Sequence, residues 1–501
     1  MPQGLRWTVL VAGMALLASG ARADDLRSAL VSAYATNPTL QGARAEQRAN
    51  DENVPIARAS GLPSATGQGQ YTEYVAPSGG GLSAPDRLAN ATATLTVPLY
   101  SGGAVRNSIR AAKIRVEAGQ ADLRGTESSV FSQVVGAYMD VIQTEAIVGL
   151  NRNNVDVLQV NLRATGDRFE IGDLTRTDVA QSRSRLELAR GQARSAEANL
   201  VEARERYIRL VGRAPGVLEA PPPLPGLPAT PDGAVAVALE SNPDLIAARE
   251  RSKAAGYDIE VAGAGRLPRV ELIGSGGYQN YLGSVPTFTI PGLPDGATIG
   301  QVNKDTTAQI GARISIPIFQ GGLPAARERQ AQARAGQSLE QEIEVERGVI
   351  AQVRSAYSSW QASNEIIASS QSAVDASALS LEGVRAENSV GNRTILDILD
   401  AEQELLNAQV QLVTARRNAY VAGFTLLAAM GKAEAQDLGL DGGVLYDPAV
   451  NFDRVRGKWF DWEFAPDPVA QATRTVDTPP QDGSTRQQQP LLPEQSLREP
   501  R

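Results

Sequence analysis

The chain has 501 residues, with 48 Lys and Arg against 56 Asp and Glu for a net charge of −8, and it contains neither Cys nor His. Those absences exclude thiol nucleophiles, disulfides, His-based triads, haem ligation and His/Cys zinc sites, and the acidic balance speaks against a sequence-independent grip on nucleic acid. Hydrophobic residues make up 42% but aromatics only 5%, a balance that suits long, closely packed helices better than a thick globular core.

At the N-terminus, Arg6, the apolar run Trp7 to Ala18 and Ala21-Arg22-Ala23 read as the three regions of a secretory signal peptide over residues 1–23, so the mature chain is expected to begin at Asp24. No Cys is available there for lipidation. The longest nearly apolar run further on, about Val421 to Met430, is shorter than the roughly 20 residues of a membrane-spanning helix. Any crossing of a bilayer must therefore be made by strands.

From Asp24 onward the chain contains itself twice. Helical patterning over about Leu26 to Ala59 includes Asn37-Pro38-Thr39-Leu40, which returns 205 residues later as Asn242-Pro243-Asp244-Leu245 in the helical stretch Ala234 to Ala264. A strand pair follows in each copy. Leu88 to Leu99 and Thr307 to Ile316 alternate apolar and polar residues over about ten positions, the length and dyad pattern of a membrane barrel strand. Their partners, about Ala65 to Val75 and Val270 to Tyr281, are Gly-rich and carry Tyr71, Tyr74, Tyr278 and Tyr281, which suit an interfacial girdle. Half-buried strands of a soluble sandwich would alternate in the same way. Four strands cannot close a barrel, and a bilayer tolerates no open edge. A membrane reading therefore requires several chains to share one barrel, and three would supply twelve strands.

Each strand pair ends in Pro and Gly-Gly: Val97-Pro98-Leu99-Tyr100-Ser101-Gly102-Gly103 matches Ile316-Pro317-Ile318-Phe319-Gln320-Gly321-Gly322, now 219 residues on. The 14 extra residues of the second copy fall between its strands, around Pro286 to Gly300. Very long helical stretches come next, about Ala104 to Glu170 and Leu323 to Asn388. Val130, Val134, Val135, Tyr138, Val141 and Ile142 step along one face of the first. Some 67 residues of helix reach about 100 Å, and rods of that length are stabilised by lateral packing. Turns at Gly172 and Gly391 lead into returning helices, Arg176 to Val211 and Ile395 to Met430.

Around the second turn the chain reads Ser389-Val390-Gly391-Asn392-Arg393-Thr394-Ile395-Leu396-Asp397-Ile398-Leu399-Asp400-Ala401. This resembles the signature of the TolC family of outer-membrane channels, and Arg168 to Gly172 with Thr177-Asp178-Val179 resembles its partner motif. The likeness extends over about residues 24 to 440. It implies a mixed α and β membrane protein: a homotrimeric twelve-stranded transmembrane β-barrel, four strands per chain, continued by a long periplasmic α-helical barrel and built from an internal duplication. It also implies residence in the outer membrane and its lipid, and no enzymatic activity or cofactor. The implied function is the exit duct of a tripartite efflux pump or type I secretion system, joined through a periplasmic adaptor (membrane fusion) protein to an inner-membrane RND or ABC transporter.

By the same resemblance, Thr177, Asp178, Arg393, Asp397 and Asp400 map to a polar gate at the periplasmic end, with Arg393 and Asp178 linked in the closed arrangement. Asn388 stands where a tyrosine joins that network in the best-known member. Gly172 and Gly391 map to the turns presented to the adaptor. Each residue has a plainer reading. Thr175 with Asp178 and Thr394 with Asp397 fit helix-capping boxes, Gly172 and Gly391 fit left-handed caps, and Arg393 fits a solvated arginine. Asp400 lies beyond the cap, on one face with Asp397, so three chains would bring six carboxylates into an inhibitory cation ring; no other metal site is expected.

The expected domains are the signal at 1–23, a first repeat over 24–225 ending in the Pro-rich linker Pro221-Pro222-Pro223-Leu224-Pro225, and a second over 226–435. An equatorial segment at 436–465 follows, whose aromatics Tyr446, Phe452, Trp459, Phe460, Trp462 and Phe464 are expected to pack on the helices, and then a disordered tail at 466–501. The rival to a channel is a trimeric coiled-coil stalk or adhesin, which would explain the helices but not the two amphipathic hairpins.

Overall fold

The computed structural model describes residues 24–75, 85–285, 288–289, 298–299, 302–440 and 445–486. The expected signal segment lies outside these residues, as do 487–501.

Two copies of one unit follow each other. The first runs α1 (Leu26–Thr36), α2 (Pro38–Asp51), α3 (Asn53–Ala59), β1 (Ser64–Glu73), β2 (Arg87–Ser101), α4 (Ala104–Glu170) and α5 (Arg176–Val211). The second runs α6 (Pro231–Ser241), α7 (Pro243–Gly263), β3 (Arg269–Asn280), β4 (Phe288–Thr289), β5 (Thr298–Ile299), β6 (Lys304–Ser315), α8 (Leu323–Ser389) and α9 (Ile395–Ala429). The helix α10 (Pro448–Val455) follows.

The duplication reaches the level of single hydrogen bonds. Asn37 caps α2 by accepting from the N–H groups of Thr39 and Leu40, while its amide donates to the Leu210 carbonyl at 2.9 Å. Asn242 caps α7 through Asp244 and Leu245 and donates to the Ala429 carbonyl, also at 2.9 Å. In both cases proline at the first helical position supplies a preset φ and lacks the N–H that would go unpaired. Each Asn thereby joins the short helix of its repeat to the end of the returning long one.

The four main strands form one antiparallel sheet in the order β1-β2-β3-β6. Ala91 lies opposite both Gly69 and Tyr278, and Ser275 opposite Gln309. Among the described residues no second sheet covers it, which removes the sandwich reading. Among the described residues the outer edges of β1 and β6 are unpaired, and apolar residues stand bare on the sheet, Ile310 at 87% exposure. Such a sheet is incomplete as a single chain.

Below the sheet the helices form a layer of staves. The upper part runs α2/α3, α4, α7, α8, and the lower part runs α5, α4, α9, α8. α4 and α8 both span 67 residues, about 100 Å at 1.5 Å per residue. The core sits midway, where Phe131, Val134, Tyr138 and Ile142 of α4 meet α1, α5 and α9. Each large side chain fully buried there stabilises the fold by roughly 1.5–3 kcal/mol. α8 lies at the edge of the layer and leaves Leu339, Ile343, Ile366 and Leu379 exposed.

Two expectations for the C-terminal region are corrected. Tyr446 lies beside Arg44, and Phe452 packs against Val54, Ala112 and Val116. Trp459, Phe460, Trp462 and Phe464, by contrast, are 61–78% exposed rather than packed on the helices. Residues 466–486, expected to be disordered, lie as an extended strap along α4 and α5. Arg204 of α5, 1% exposed, donates to the Asp482 carbonyl at 2.8 Å and faces Glu145, 3% exposed, at 3.4 Å. Arg152 donates to the Gly483 carbonyl at 3.0 Å, and the Arg486 N–H donates to Glu145. Polar tail composition argued for disorder, but the buried charges on the helices require polar partners, and the tail provides them.

Candidate functional site

The lower ends of the two long hairpins carry the residues singled out from the sequence. Each turn is made by a glycine in the left-handed region, Gly172 at φ 82° and Gly391 at φ 83°, a conformation that disfavours side chains. The Gly172 and Asp173 N–H groups donate to the Phe169 and Arg168 carbonyls, and those of Gly391 and Asn392 to the Asn388 and Glu387 carbonyls. Both glycines are exposed at the tips.

Past each turn stands the expected capping box. Asp178 Oδ2 accepts from the Thr175 N–H at 2.8 Å and from its hydroxyl at 2.7 Å, while Thr175 Oγ1 accepts from the Asp178 N–H at 3.3 Å. Thr394 and Asp397 repeat these three distances. Bonds from the Thr175 N–H and hydroxyl hold the Asp178 carboxyl below the ordinary aspartate value, and bonds from the Thr394 hydroxyl and N–H do the same for Asp397. Capping therefore occupies both carboxylates within one chain.

Arg393 does not meet Asp178 in the chain. Its Nε donates to Glu387 Oε2 at 2.7 Å, and its Nη1 lies 3.9 Å from Asp397 Oδ1, so it closes its own turn. Asn388 adds an amide bond to the Arg393 carbonyl at 2.7 Å. The first hairpin has a counterpart in Arg168, whose Nε donates to Asp173 at 2.7 Å. Thr177 is exposed on the first turn of α5.

Asp400 ties one hairpin to the other: it pairs with Arg185 of α5. Sequence reasoning missed Arg185, one arginine among many on a polar helix. It also missed Glu402, whose side chain is 4% exposed and accepts from Asn161 of α4 at 2.8 Å and from Arg385 of α8 at 2.9 Å. A signal for Glu402 was present, since it lies midway between the buried Ile398 and Leu406 at i, i+4 spacing. A carboxylate in a buried stripe needs partners from facing helices. Asp397 and Asp400 are both solvent-facing, and among the described residues no group of three acids lies close enough to hold a metal within one chain.

Both repeats, with their staves and capped turns, match a known family. The family described as outer membrane efflux protein matches residues 29–213 and 234–432. The chain belongs to that family. The outer membrane efflux protein BepC of Brucella suis is 33% identical over 454 residues, covering 90% of this chain and 95% of BepC. The outer membrane protein TolC of Escherichia coli is 28% identical, covering 83% of this chain and 84% of TolC. The crystal structure of the outer membrane channel CmeC of Campylobacter jejuni superposes with a TM-score of 0.69 at 18% identity, covering 86% and 89% of the two chains, and shows the same fold. The efflux-family chain described here thus shares with its relatives the repeat, the four-stranded sheet and the long staves. It is an outer-membrane protein.

Proposed function

We propose that three copies of this chain form a duct that carries small molecules or proteins from an inner-membrane transporter to the exterior. The observation that carries this reading is the sheet with two unpaired edges set above staves about 100 Å long. Three such sheets close a twelve-stranded barrel without edges, and three stave layers, each open at α8, close a helical tunnel beneath it. The duct has no catalytic role.

The lower end acts as an iris. The Arg185–Asp400 tie and the Glu402 hub hold α5 and α9 against α4 and α8, and separation of these helices opens the tunnel. Thr177, Asp178, Arg393 and Asp397 shape the hairpin ends that line the aperture. In the trimer, Asp397 and Asp400 of three chains form a ring that attracts cations. Gly172 and Gly391 present the tips to a periplasmic adaptor, which couples the duct to an RND or ABC transporter.

Retention of ethidium by cells tests the reading. Cells lacking the chain should retain the dye, and plasmid-borne wild type should restore its efflux. Failure of folded, outer-membrane-located trimers to restore efflux, and likewise to restore type I secretion in the same strain, would contradict it.

A further inference from the structure

One face of α4 descends through Arg106, Arg110, Lys113, Glu117, Arg124, Glu127 and Phe131 in steps of three, four and seven. Its lower half is covered. Arg124 pairs with Glu434 at 2.8 Å, Glu127 accepts from the Ala435 N–H at 2.6 Å, and Phe131 meets Tyr34 of α1. Segments that cross the staves thus lie on this face, which makes it the outer surface of a duct whose lumen must stay clear. Its upper half is bare. Arg106, Arg110 and Lys113 are exposed, and among the described residues none has a carboxylate within 4 Å or a hydrogen bond. Arg110 only lies over the Tyr257 ring, at 5.9 Å. Nearby arginines elsewhere are neutralised: Arg115 by Asp258, Arg251 by Asp122, Arg266 by Glu328.

The level of these cations is informative. β2 ends at Ser101 and α4 begins at Ala104, so the three lie about 3, 9 and 14 Å along α4 from its start. The headgroup layer of a bilayer is about 5–8 Å deep on each side, and long basic side chains rise toward it. Between the heads of α4 and α7 runs a groove of about 1150 Å³, bordered by Leu99, Tyr100, Ile109 and Leu267 beside the three cations. Its carboxylates are engaged, Glu260 by the Asn107 amide at 2.8 Å and Glu328 by Arg266. On the α3 side the Arg456 carbonyl lies 3.4 Å from Arg58, and it leads into the exposed Trp459, Phe460, Trp462 and Phe464, residue types that favour a membrane interface.

We propose that Arg106, Arg110 and Lys113 form a binding site for the phosphate headgroup of an anionic phospholipid in the periplasmic leaflet, with an acyl chain along Leu99 and Tyr100. The unpaired charge on a chain of net charge −8 supplies the complementarity, and the apolar border distinguishes a lipid from a free phosphate. The inference rests on the outer-membrane placement of the sheet. Each cation near an anionic surface contributes roughly fivefold in affinity, so the three together contribute about 100-fold.

Native mass spectrometry of the mature trimer tests it, with phosphatidylglycerol and phosphatidylethanolamine added in turn and inorganic phosphate as a soluble competitor. Wild type should retain phosphatidylglycerol over phosphatidylethanolamine by tenfold or more, unaffected by phosphate. Arg106→Gln/Arg110→Gln/Lys113→Gln should lose the preference, while Arg110→Lys should keep it. Equal retention of the two lipids by wild type, displacement by phosphate, or an unchanged preference in the triple variant would each overturn the proposal. Channel conductance from the same trimers separates this failure from failure of the duct reading. A triple variant that does not form trimers shifts the decision to Arg106→Gln and Lys113→Gln singly, each expected to lower the preference roughly fivefold.

Discussion

Removing Glu145 should loosen the mid-chain core and release the strap, and removing its partner as well should restore most of the core's stability while the strap stays released. Arg204 and Glu145 are 1% and 3% exposed and face each other at 3.4 Å. Burial holds the Arg204 guanidinium below its ordinary value, a sign that its charge is already costly. Glu145→Leu leaves that charge without its buried partner, and breaking such a pair costs about 3–5 kcal/mol. With a urea slope of about 3 kcal/mol per M, the unfolding midpoint falls by about 1–1.7 M. In Glu145→Leu/Arg204→Met both charges are gone, and apolar replacement of a buried pair is neutral or stabilising. The Asp482 carbonyl, released by Arg204, and the Arg486 N–H, released by Glu145, turn to water as the strap detaches. The midpoint of the double variant should return to within about 0.5 M of wild type. Urea unfolding of the detergent-solubilised trimer by circular dichroism reads the cycle, and trypsin cleavage at Arg474 reads release of the strap. A single variant as stable as wild type, or a double variant as damaged as the single, would refute the energetics of the buried pair, and a strap still protected from trypsin in the double variant would refute the pair as the reason the strap binds.

Asp400→Ala or Arg185→Ser should raise the single-channel open probability. An exposed pair is worth about 0.2–1 kcal/mol, so three chains moving together shift the open-to-closed ratio by about 3-fold to 150-fold, and the exchanged pair Arg185→Asp/Asp400→Arg should restore it. Acid should act at the same end. Asp178 and Asp397 have depressed values in the folded chain, so their caps are fully formed above the ordinary value of 3.8 and are lost as pH falls through the lower folded value. Channel recordings should show the open probability rising only below about pH 3.8, and by a smaller factor in Asp178→Asn/Asp397→Asn, which keeps the Arg185–Asp400 pair. Asn37→Ala and Asn242→Ala should each destabilise by about 1–3 kcal/mol, because each removes a cap and the donor to a carbonyl; urea midpoints of the two single variants check this equivalence.

Much of this architecture was legible because it is written in period and repetition. The alternation in Leu88 to Leu99 and the three-four stepping of Val130 to Ile142 correspond to β2 and to the buried face of α4. Glycine and threonine at fixed offsets marked both hairpin turns and both capping boxes. What was not legible depends on pairs distant in sequence. Arg185 and Asp400 are 215 residues apart, and nothing local marks either as the other's partner. The tail misled because composition reports that a segment lacks its own core, not that a groove elsewhere holds buried charges for it to satisfy. The aromatics from Trp459 to Phe464 misled in the opposite sense, since apolar area signals burial without naming the partner.

The duct itself is tested most directly by single-channel recording from the purified mature trimer in a planar bilayer. Wild type should give discrete unitary conductance steps, more frequently open in Asp400→Ala. Folded trimers, inserted in the bilayer and silent in both forms, would contradict it and favour a non-conducting stalk.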